Sequence, residues 1–422
     1  MGRFAHIADV HLGSNREKSM RDLEMRAFHE AMDRCISEKV DFTILSGDLF
    51  HTGIPDLTVV DQALVKIREV RDSGIPVYVI YGSHDYTPSG TSVIDLLTTA
   101  GIIQKVVKPH LEEGKLSLEF TEDPRTGAKL SGISARSNGL ERKYYEILDR
   151  ESLEKEDGFK IFVFHSGITE FKPEELSQME TIPLSYFPRN FSYYAGGHIH
   201  KAGIYKQPGY DNIVFPGPLV TGYGKDLENS ARGEKRGFYI VDFDSAVRKI
   251  RFVESTAFSW AYLEFDSTGK SSAEFSGDIS SGVEAANVEG KVVVLKLKGM
   301  IESGRTSEID ISRIRDRLIS RGALHVYLNR HSLFSREYSP VNYVETDLRL
   351  LERKLLRENI GNYRGNISSL TGEAGTAKAE ELLANMKQEQ KINESKADYA
   401  SRKRNEALAL LGIRDILEGD SS

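Results

Sequence analysis

Short apolar runs alternate with amphipathic segments over the first 255 residues. Runs such as "VDFTIL", "IPVYVI" and "KIFVF" are typical of buried strands. Residues 20–39 and 57–73 repeat apolar positions every three to four residues, which predicts helices, and a shorter helix is expected at 90–99. The runs "RGFYIVDFD" and "VRKIRFVE" predict a closing hairpin. The pattern predicts an α/β domain over residues 1–255, a sandwich of mixed sheets flanked by helices.

The pattern changes at residue 256. The runs "AYLEFD", "KVVVLKLKG" and "ALHVYLN" predict three strands, and one helix is expected at 309–320. Residues 256–338 are therefore expected to form a small α+β domain.

The remaining residues, 339–422, are polar and helical in pattern. Helices are predicted at 341–358 and 376–411, with a flexible linker at about 360–376 that is rich in Gly, Ser and Asn. Because no strand is available for packing, these helices either dock on a helix of another protein or fold back as a hairpin on their own domain.

Polar side chains gather where the predicted strands of the first domain end. In open α/β sheets, ligand sites form at the carboxyl ends of the strands. Six of the eleven histidines fall at such positions, whereas His6, His29, His110, His325 and His331 are expected in the core or at the surface. The residues at the strand ends are Asp9, His11, Asp48, His51, Ser83, His84, Asp85, His165, His198 and His200.

The spacing of these residues suits metal ligation. In "DVH" the two ligands are two apart, so both can point to the same side and bind one cation. "HIH" can do the same or divide its imidazoles between neighbouring ions. Carboxylate and imidazole without thiolate suit Mn²⁺, Fe²⁺ or Zn²⁺. An aspartate shared between two ions, for which Asp48 is the candidate, would bring them to about 3.5–4 Å, the arrangement used for in-line attack on phosphorus.

Charge and cysteine content add two limits. The net charge of −7 argues against a protein that coats nucleic acid by charge alone, although bound cations would reverse the local sign of an acidic site. The single cysteine, Cys35, excludes an internal disulfide, and no apolar run is long enough to span a membrane. A reducing, cytoplasmic environment is therefore expected.

The segments "ADVHLG", "LSGDLFH", "YGSHD", "FHSG" and "GGHIH" resemble the phosphoesterase motifs of calcineurin-like metallophosphatases. More narrowly, they are similar to those of the MRE-eleven/SbcD family of DNA double-strand-break repair nucleases. The resemblance implies a nuclease domain, a capping domain that recognises DNA, and C-terminal helices. It also implies a Mn²⁺-dependent double-strand exonuclease and single-strand endonuclease, of archaeal or bacterial type and associated with the nucleoid.

The resemblance further implies a role for each matched residue. Asp9, His11 and His200 would hold one Mn²⁺ ion, and His165 and His198 the other, with Asp48 bridging. His84 would act on the leaving oxygen with its ring oriented by Asp85, and His51 would contact the phosphate. Candidate DNA contacts of the capping domain, each equally well explained as a surface charge, are Lys296, Lys298, Arg313, Arg317 and Arg330.

Two protein partners follow from the same resemblance. The first is a second copy of the chain, and the apolar residues Val59, Val60, Ile94 and Leu97 could pack across a two-fold axis or into the chain's own core. The second is an ABC ATPase of the Rad-fifty/SbcC type, whose coiled coil residues 341–411 would bind.

Ser83 departs from the family motif, which has Asn there. A hydroxyl is shorter and a weaker neutral donor than an amide oxygen. Ser83 either still ligates, or leaves the second metal weakly bound, or is an engineered change that reduces activity. We expect a second metal position that is present but weakened.

Two rival functions are consistent with parts of the pattern. A small-substrate phosphatase or phosphodiesterase of the same superfamily would explain the metal motifs but not the later domains. A DNA-tethering subunit whose nuclease activity is attenuated at Ser83 would bind DNA and its partner without cleavage.

Overall fold

A computed structural model of the chain describes residues 1–87, 90–136, 139–172, 179–220, 222–336, 372–391 and 396–412, with six residues between 352 and 360. The chain divides into two compact units, residues 1–338 and 339–422.

The first sheet of the large unit has six strands. They are β1 (Gly2–Ile7), β2 (Phe42–Leu45), β3 (Val77–Val79), β4 (Gln104–Lys105), β15 (Gly237–Phe243) and β16 (Val247–Glu254). Their order across the sheet is β16-β15-β1-β2-β3-β4. The four strands β1 to β4 are parallel, and β15 and β16 form the predicted antiparallel hairpin at the edge.

The second sheet also has six strands. They are β7 (Thr121–Glu122), β8 (Lys129–Ile133), β9 (Lys160–His165), β12 (Tyr193–Gly197), β13 (Gly203–Gln207) and β14 (Tyr210–Phe215). Their order is β13-β14-β12-β9-β8-β7, with β8, β9, β12 and β14 parallel. Two small two-stranded sheets pair β5 (Pro109–Glu112) with β6 (Lys115–Leu118) and β10 (Gly167–Ile168) with β11 (Thr181–Ile182).

The two large sheets pack face to face, which confirms the predicted sandwich. Phe4 and Phe42 of the first sheet and Val163 and Tyr193 of the second belong to one fully buried cluster. Because side chains alternate along a strand, the neighbouring Ala5 faces the other way, into a second core shared with the helices. The helices of this domain are α1 (Lys18–Ser37), α2 (Leu57–Asp72), α3 (Val93–Thr99), α4 (Arg142–Glu146), α5 (Arg150–Lys155) and α6 (Gly224–Ala231).

Four apolar residues of α2 and α3, for which the sequence allows either a core or an interface position, pack inward. Val59, Ile94 and Leu97 are buried in the chain's own core, and Val60 packs against it partly buried.

The smaller domain contains one helix more than expected. Strand and helix alternate around a three-stranded parallel sheet: β17 (Ser259–Asp266), α7 (Ser272–Ala285), β18 (Lys291–Ile301), α8 (Ile311–Ser320) and β19 (His325–Ser335), with β18 in the centre. The prediction of a single helix is wrong, since α7 precedes the expected one. Phe275, Ile279 and Val283 of α7 are buried in the core of this domain.

The second unit contains α9 (Gly372–Met386) and α10 (Lys396–Leu411). The predicted continuous helix at 376–411 is wrong, because the helix ends at Met386 and the polar residues 387–391 are not helical. Asn385 donates a hydrogen bond to Glu406 at 2.8 Å, so the two helices contact each other. Most of the expected helix at 341–358 lies outside the described residues. Across the described helices, none combines the length and apolar character required to cross a bilayer.

Candidate metal centre

Five chain segments converge at the carboxyl ends of strands from both large sheets. Asp9 and His11 follow β1, Asp48 follows β2, and Ser83 and His84 follow β3. His165 ends β9, and His198 and His200 follow β12. The sheets meet here directly, since His165 Nδ1 lies 2.7 Å from the carbonyl oxygen of Ser46 at the end of β2.

Three sets of donor atoms among the described residues are close enough to share a cation. Within each set, all donor atoms lie within 4.8 Å of one another. The sets are Asp9 with His11 and His200, Asp9 with Asp48 and His165, and His11 with His51 and His84. His198 belongs to none of these sets, but its ring centroid is 5.2 Å from that of His165 and its backbone N–H donates to Asp9.

Asp48 lies between the two sides of the site. Its Oδ2 is 3.6 Å from His11 Nε2 and 3.1 Å from His165 Nε2. The backbone N–H of His84 donates to its Oδ1 at 2.8 Å, and the Ser83 hydroxyl lies 3.4 Å from Oδ2. A carboxylate in this position is able to contact two ions.

The donor atoms fit a pair of divalent cations. His165 Nε2 is completely buried and makes no hydrogen bond of acceptable geometry, although it faces two carboxylates. The Nδ1 atoms of His165 and His200 are hydrogen-bonded to the Ser46 carbonyl oxygen and to Asp226, respectively. These hydrogen bonds direct both Nε2 atoms toward the centre. Metal-binding histidines are usually held in this way.

The backbone around the centre is strained. Asp9, His11, Asp48 and His198 all have positive φ, between 49° and 85°, although none is glycine. Such conformations are costly for L-residues and concentrate at functional sites. Gly82 is required for close approach, because a Cβ atom there would lie 2.0 Å from Asp48 Oδ1.

Burial perturbs the pKa values of these groups. Burial raises the pKa of Asp9, and it lowers that of His198 to about 3. For His165 the effect of burial is outweighed by Asp48 and Asp9, which raise its pKa to about 10. Burial likewise opposes ionisation of Asp48, but His165 and His11 hold its pKa well below the usual range. A buried group of carboxylates and imidazoles favours bound cations that compensate the carboxylate charge.

His84 and His51 stand together beside the centre. Their rings stack with centroids 4.8 Å apart, and His84 Nδ1 lies 2.8 Å from the His51 carbonyl oxygen. The other ring nitrogen, Nε2, lies 3.2 Å from the Tyr223 hydroxyl. His84 Nε2 is therefore directed toward the cavity.

The expectation that Asp85 orients the His84 ring is wrong. Asp85 is buried, and its carboxylate accepts backbone N–H groups of Leu49, Phe50 and Gly82. Burial and the nearby Asp48 raise its pKa to about 6. Asp85 instead joins the loops after β2 and β3, and the His51 carbonyl holds the His84 ring.

Sequence reasoning missed three residues that contact the site. Tyr223 touches His84, Asp226 Oδ2 accepts from His200 at 2.6 Å, and the buried Arg236 donates to the His200 carbonyl at 2.6 Å. These residues follow no strand-end motif. The only available signal was the run "YGKDLENSA", whose eight helical residues are too few for a clear periodicity.

A cavity of about 690 Å³ opens over the centre. His11, Asp48, Ser83 and His84 are among its lining residues. The lining also includes the basic residues Lys201, Lys225 and Arg232, the phenol of Tyr223, and the acidic residues Asp226 and Glu234.

The candidate DNA contacts of the smaller domain divide into two groups. Lys296, Lys298 and Arg317 form ion pairs with Glu228, Glu264 and Glu284, at 2.6, 2.5 and 2.5 Å. Arg313 and Arg330 are exposed, and within the described residues neither side chain has an ion pair.

The histidines that were assigned to core or surface are also accounted for. His6 and His325 are buried and hydrogen-bonded, to Tyr193 and Ser46 and to Ser19 respectively. His110 and His331 are exposed, and His29 is half-buried.

One comparison, with a protein-family profile, agrees with the position of the site. The profile of the calcineurin-like phosphoesterase family matches residues 2–202, which include all ten strand-end residues. The chain contains a calcineurin-like metallophosphoesterase domain. A solved structure of a dimetal phosphatase from Danio rerio covers 60% of this chain and 99% of its own, with a TM-score of 0.38 and 9% identity.

Several similar proteins are archaeal and are named DNA double-strand break repair protein Mre11. The protein from Methanococcus maripaludis is 29% identical over 262 residues, which are 59% of this chain and 66% of that protein. The protein from Archaeoglobus fulgidus is 26% identical over 74% of this chain and 72% of its own length. The protein from Sulfurisphaera tokodaii is 30% identical over 59% of this chain and 62% of its own length. The matched segments thus span about two thirds of these relatives.

Proposed function

We propose that this protein is a two-metal phosphodiesterase that cleaves DNA in double-strand-break repair. The single observation that carries the proposal is the position of Asp48, whose Oδ2 lies within 3.6 Å of imidazoles from both sheets. The archaeal relatives, which are named DNA double-strand break repair proteins, support DNA as the substrate.

The proposed ligand assignment draws on two of the three donor sets and adds His198, whose ring lies beside that of His165. Asp9, His11 and His200 would hold one ion and His165 and His198 the other, with Asp48 shared between them and Ser83 as a weak ligand of the second. The ions are proposed to be Mn²⁺. When bound, they would activate water and offset the charge that develops on the phosphoryl oxygens.

The protein's own groups handle the leaving group. His84 Nε2 faces the cavity, while its Nδ1 donates to the His51 carbonyl oxygen. This tautomer makes Nε2 an acceptor, and protonation of His84 would let it donate a proton to the departing oxygen. The stacked His51 is proposed to contact the phosphate.

The smaller domain is proposed to position DNA. Arg313 and Arg330 are the better candidates for phosphate contacts, because they are exposed and have no ion pair within the described residues. Lys296, Lys298 and Arg317 would have to give up an ion pair first.

Two protein partners belong to the proposal. A homodimer is proposed through the region of α2 and α3, where Ile54, Leu57 and Leu96 are 83%, 80% and 60% exposed. An ABC ATPase of the Rad-fifty/SbcC type is proposed to bind residues 341–411.

Turnover of linear DNA and of a generic phosphomonoester, each with Mn²⁺, tests the function. We expect cleavage of double-stranded ends and of single strands, much weaker phosphomonoester hydrolysis, and no activity in Asp48→Ala. Efficient hydrolysis of the phosphomonoester alone would favour a phosphatase. DNA binding without any cleavage would favour the tethering subunit.

A further inference from the structure

Helix α6 connects the candidate metal centre to the smaller domain. It begins directly after Tyr223, whose hydroxyl contacts His84. Asp226 in its first turn contacts His200, and Glu228 contacts Lys296 and Asn329 of the smaller domain. One short helix therefore touches both regions.

On the side of the metal centre, Asp226 sets the orientation of the His200 ring. Its Oδ2 accepts the Nδ1–H of His200 at 2.6 Å, so Nε2 is free to face Asp9 and His11. Without this partner, the half-buried ring could rotate or change tautomer.

Arg236 ties α6 to the His200 loop. Its guanidinium is buried and donates to the His200 carbonyl at 2.6 Å, to the Ser230 hydroxyl at 2.8 Å and to the Asp226 carbonyl at 3.2 Å. Because all three acceptors share one planar group, α6 and His200 are expected to move together.

On the other side, all three strands of the small sheet hold α6. Glu228 accepts from Lys296 of β18 at 2.6 Å and from Asn329 of β19 at 3.0 Å. Arg232, just after the helix, pairs with Glu264 of β17 at 2.8 Å. Gly224 leaves no room for a side chain, since a Cβ atom there would lie 1.9 Å from the Tyr327 hydroxyl.

We propose that Asp226 is a positioning residue for His200, and that α6 makes metal affinity at the Asp9–His11–His200 position depend on the smaller domain. The smaller domain also contacts the start of α1, where Arg315 pairs with Glu17 and His325 with Ser19, but these contacts do not involve α6. The inference rests on the proposed metal centre and is independent of the substrate.

Calorimetric titration of the full-length, metal-free protein with MnCl₂ tests the inference. We expect Asp226→Ala to weaken one of two binding events by roughly 10- to 100-fold. The Mn²⁺ affinity of Asp226→Asn should lie between those of Asp226→Ala and wild type, because the amide oxygen still accepts a hydrogen bond from His200 but carries no charge. Glu228→Gln should weaken the same event less than Asp226→Ala, and the control Arg315→Ala should bind like wild type.

Two further measurements separate positioning from general destabilisation. Thermal unfolding of each variant in EDTA should be close to wild type, and the absorption spectrum of bound Co²⁺ should change in the Asp226 variants but not in Arg315→Ala. Normal Mn²⁺ binding by Asp226→Ala would overturn the role of Asp226. Wild-type Mn²⁺ affinity in Glu228→Gln would overturn the coupling through α6. A loss of Mn²⁺ affinity in Arg315→Ala equal to that in Glu228→Gln would overturn it as well. Wild-type protein that binds no Mn²⁺ would instead overturn the proposed function.

Discussion

Single residues at the candidate centre carry most of its chemistry, and Ser83 is the one that departs from the family motif. Its hydroxyl lies 3.4 Å from Asp48 Oδ2 and is half-buried at the edge of the cavity. An asparagine side chain is longer and places an amide oxygen nearer to a cation bound beside Asp48.

Ser83→Asn should therefore tighten binding of the second Mn²⁺ ion and raise nuclease activity. Titration calorimetry measures the affinity, and Ser83→Ala is the matched control that removes the hydroxyl without adding a donor. Equal Mn²⁺ affinities for wild type and Ser83→Asn would contradict a weakened second position.

His6 gives a prediction about pH that does not involve the metal. It is completely buried between Tyr193 and Ser46, and burial lowers its pKa to about 3. At a pH below the ordinary pKa of histidine, His6 takes up a proton in the unfolded chain, whereas in the folded protein its ring stays neutral. Stability is therefore lost as the pH falls from about 6.5 toward 3.

Replacing His6 with Gln should remove this loss. Between pH 7 and pH 5 the free energy of unfolding of wild type should fall by about 2 kcal/mol more than that of the variant. Urea unfolding in EDTA measures both, with the surface substitution His331→Gln as the control. Parallel pH dependence in His6→Gln and wild type would contradict the assignment.

Among the elements, long apolar runs and strand-end motifs were predictable, whereas short or Ser/Gly-rich helices were not. The five converging loops could be found because buried strands are contiguous in sequence and end in polar residues. Helix α7 was missed because serine and glycine obscure its stripe of Phe275, Ile279 and Val283. The partners of Asp85 were also beyond prediction, since they are backbone N–H groups fixed only by the folded loops.

Helix α7 is expected to be essential to the smaller domain. Phe275 is fully buried, and Phe275→Ala should lower the free energy of unfolding of that domain by about 3–5 kcal/mol. Hydrogen exchange should then rise in β17, β18 and β19 while β9 and β12 stay protected. The exposed Ser280→Ala on the same helix is the control. Unchanged exchange in Phe275→Ala would mean that α7 does not support the sheet.

At the scale of the whole molecule, residues 1–338 and 339–422 form separate compact units. The described part of the second unit includes two helices that contact each other near Asn385 and Glu406. Because residues 1–338 form a compact unit of their own, we expect them to fold without residues 339–422.

Deleting residues 341–422 should abolish binding of the ATPase partner and leave Mn²⁺-dependent cleavage of single-stranded DNA. Co-purification with the ATPase measures the first, and a nuclease assay on a labelled oligonucleotide the second. A truncated protein that still binds the ATPase would show that the helices have another role.

Anomalous diffraction at the manganese edge, from crystals soaked in MnCl₂, would locate the ions of the proposed two-metal centre directly. We expect two peaks about 3.5–4 Å apart, with Asp48 between them. Asp9, His11 and His200 should surround one peak, and His165 and His198 the other. No peak among these residues, or a single peak that does not contact Asp48, would contradict the proposed centre.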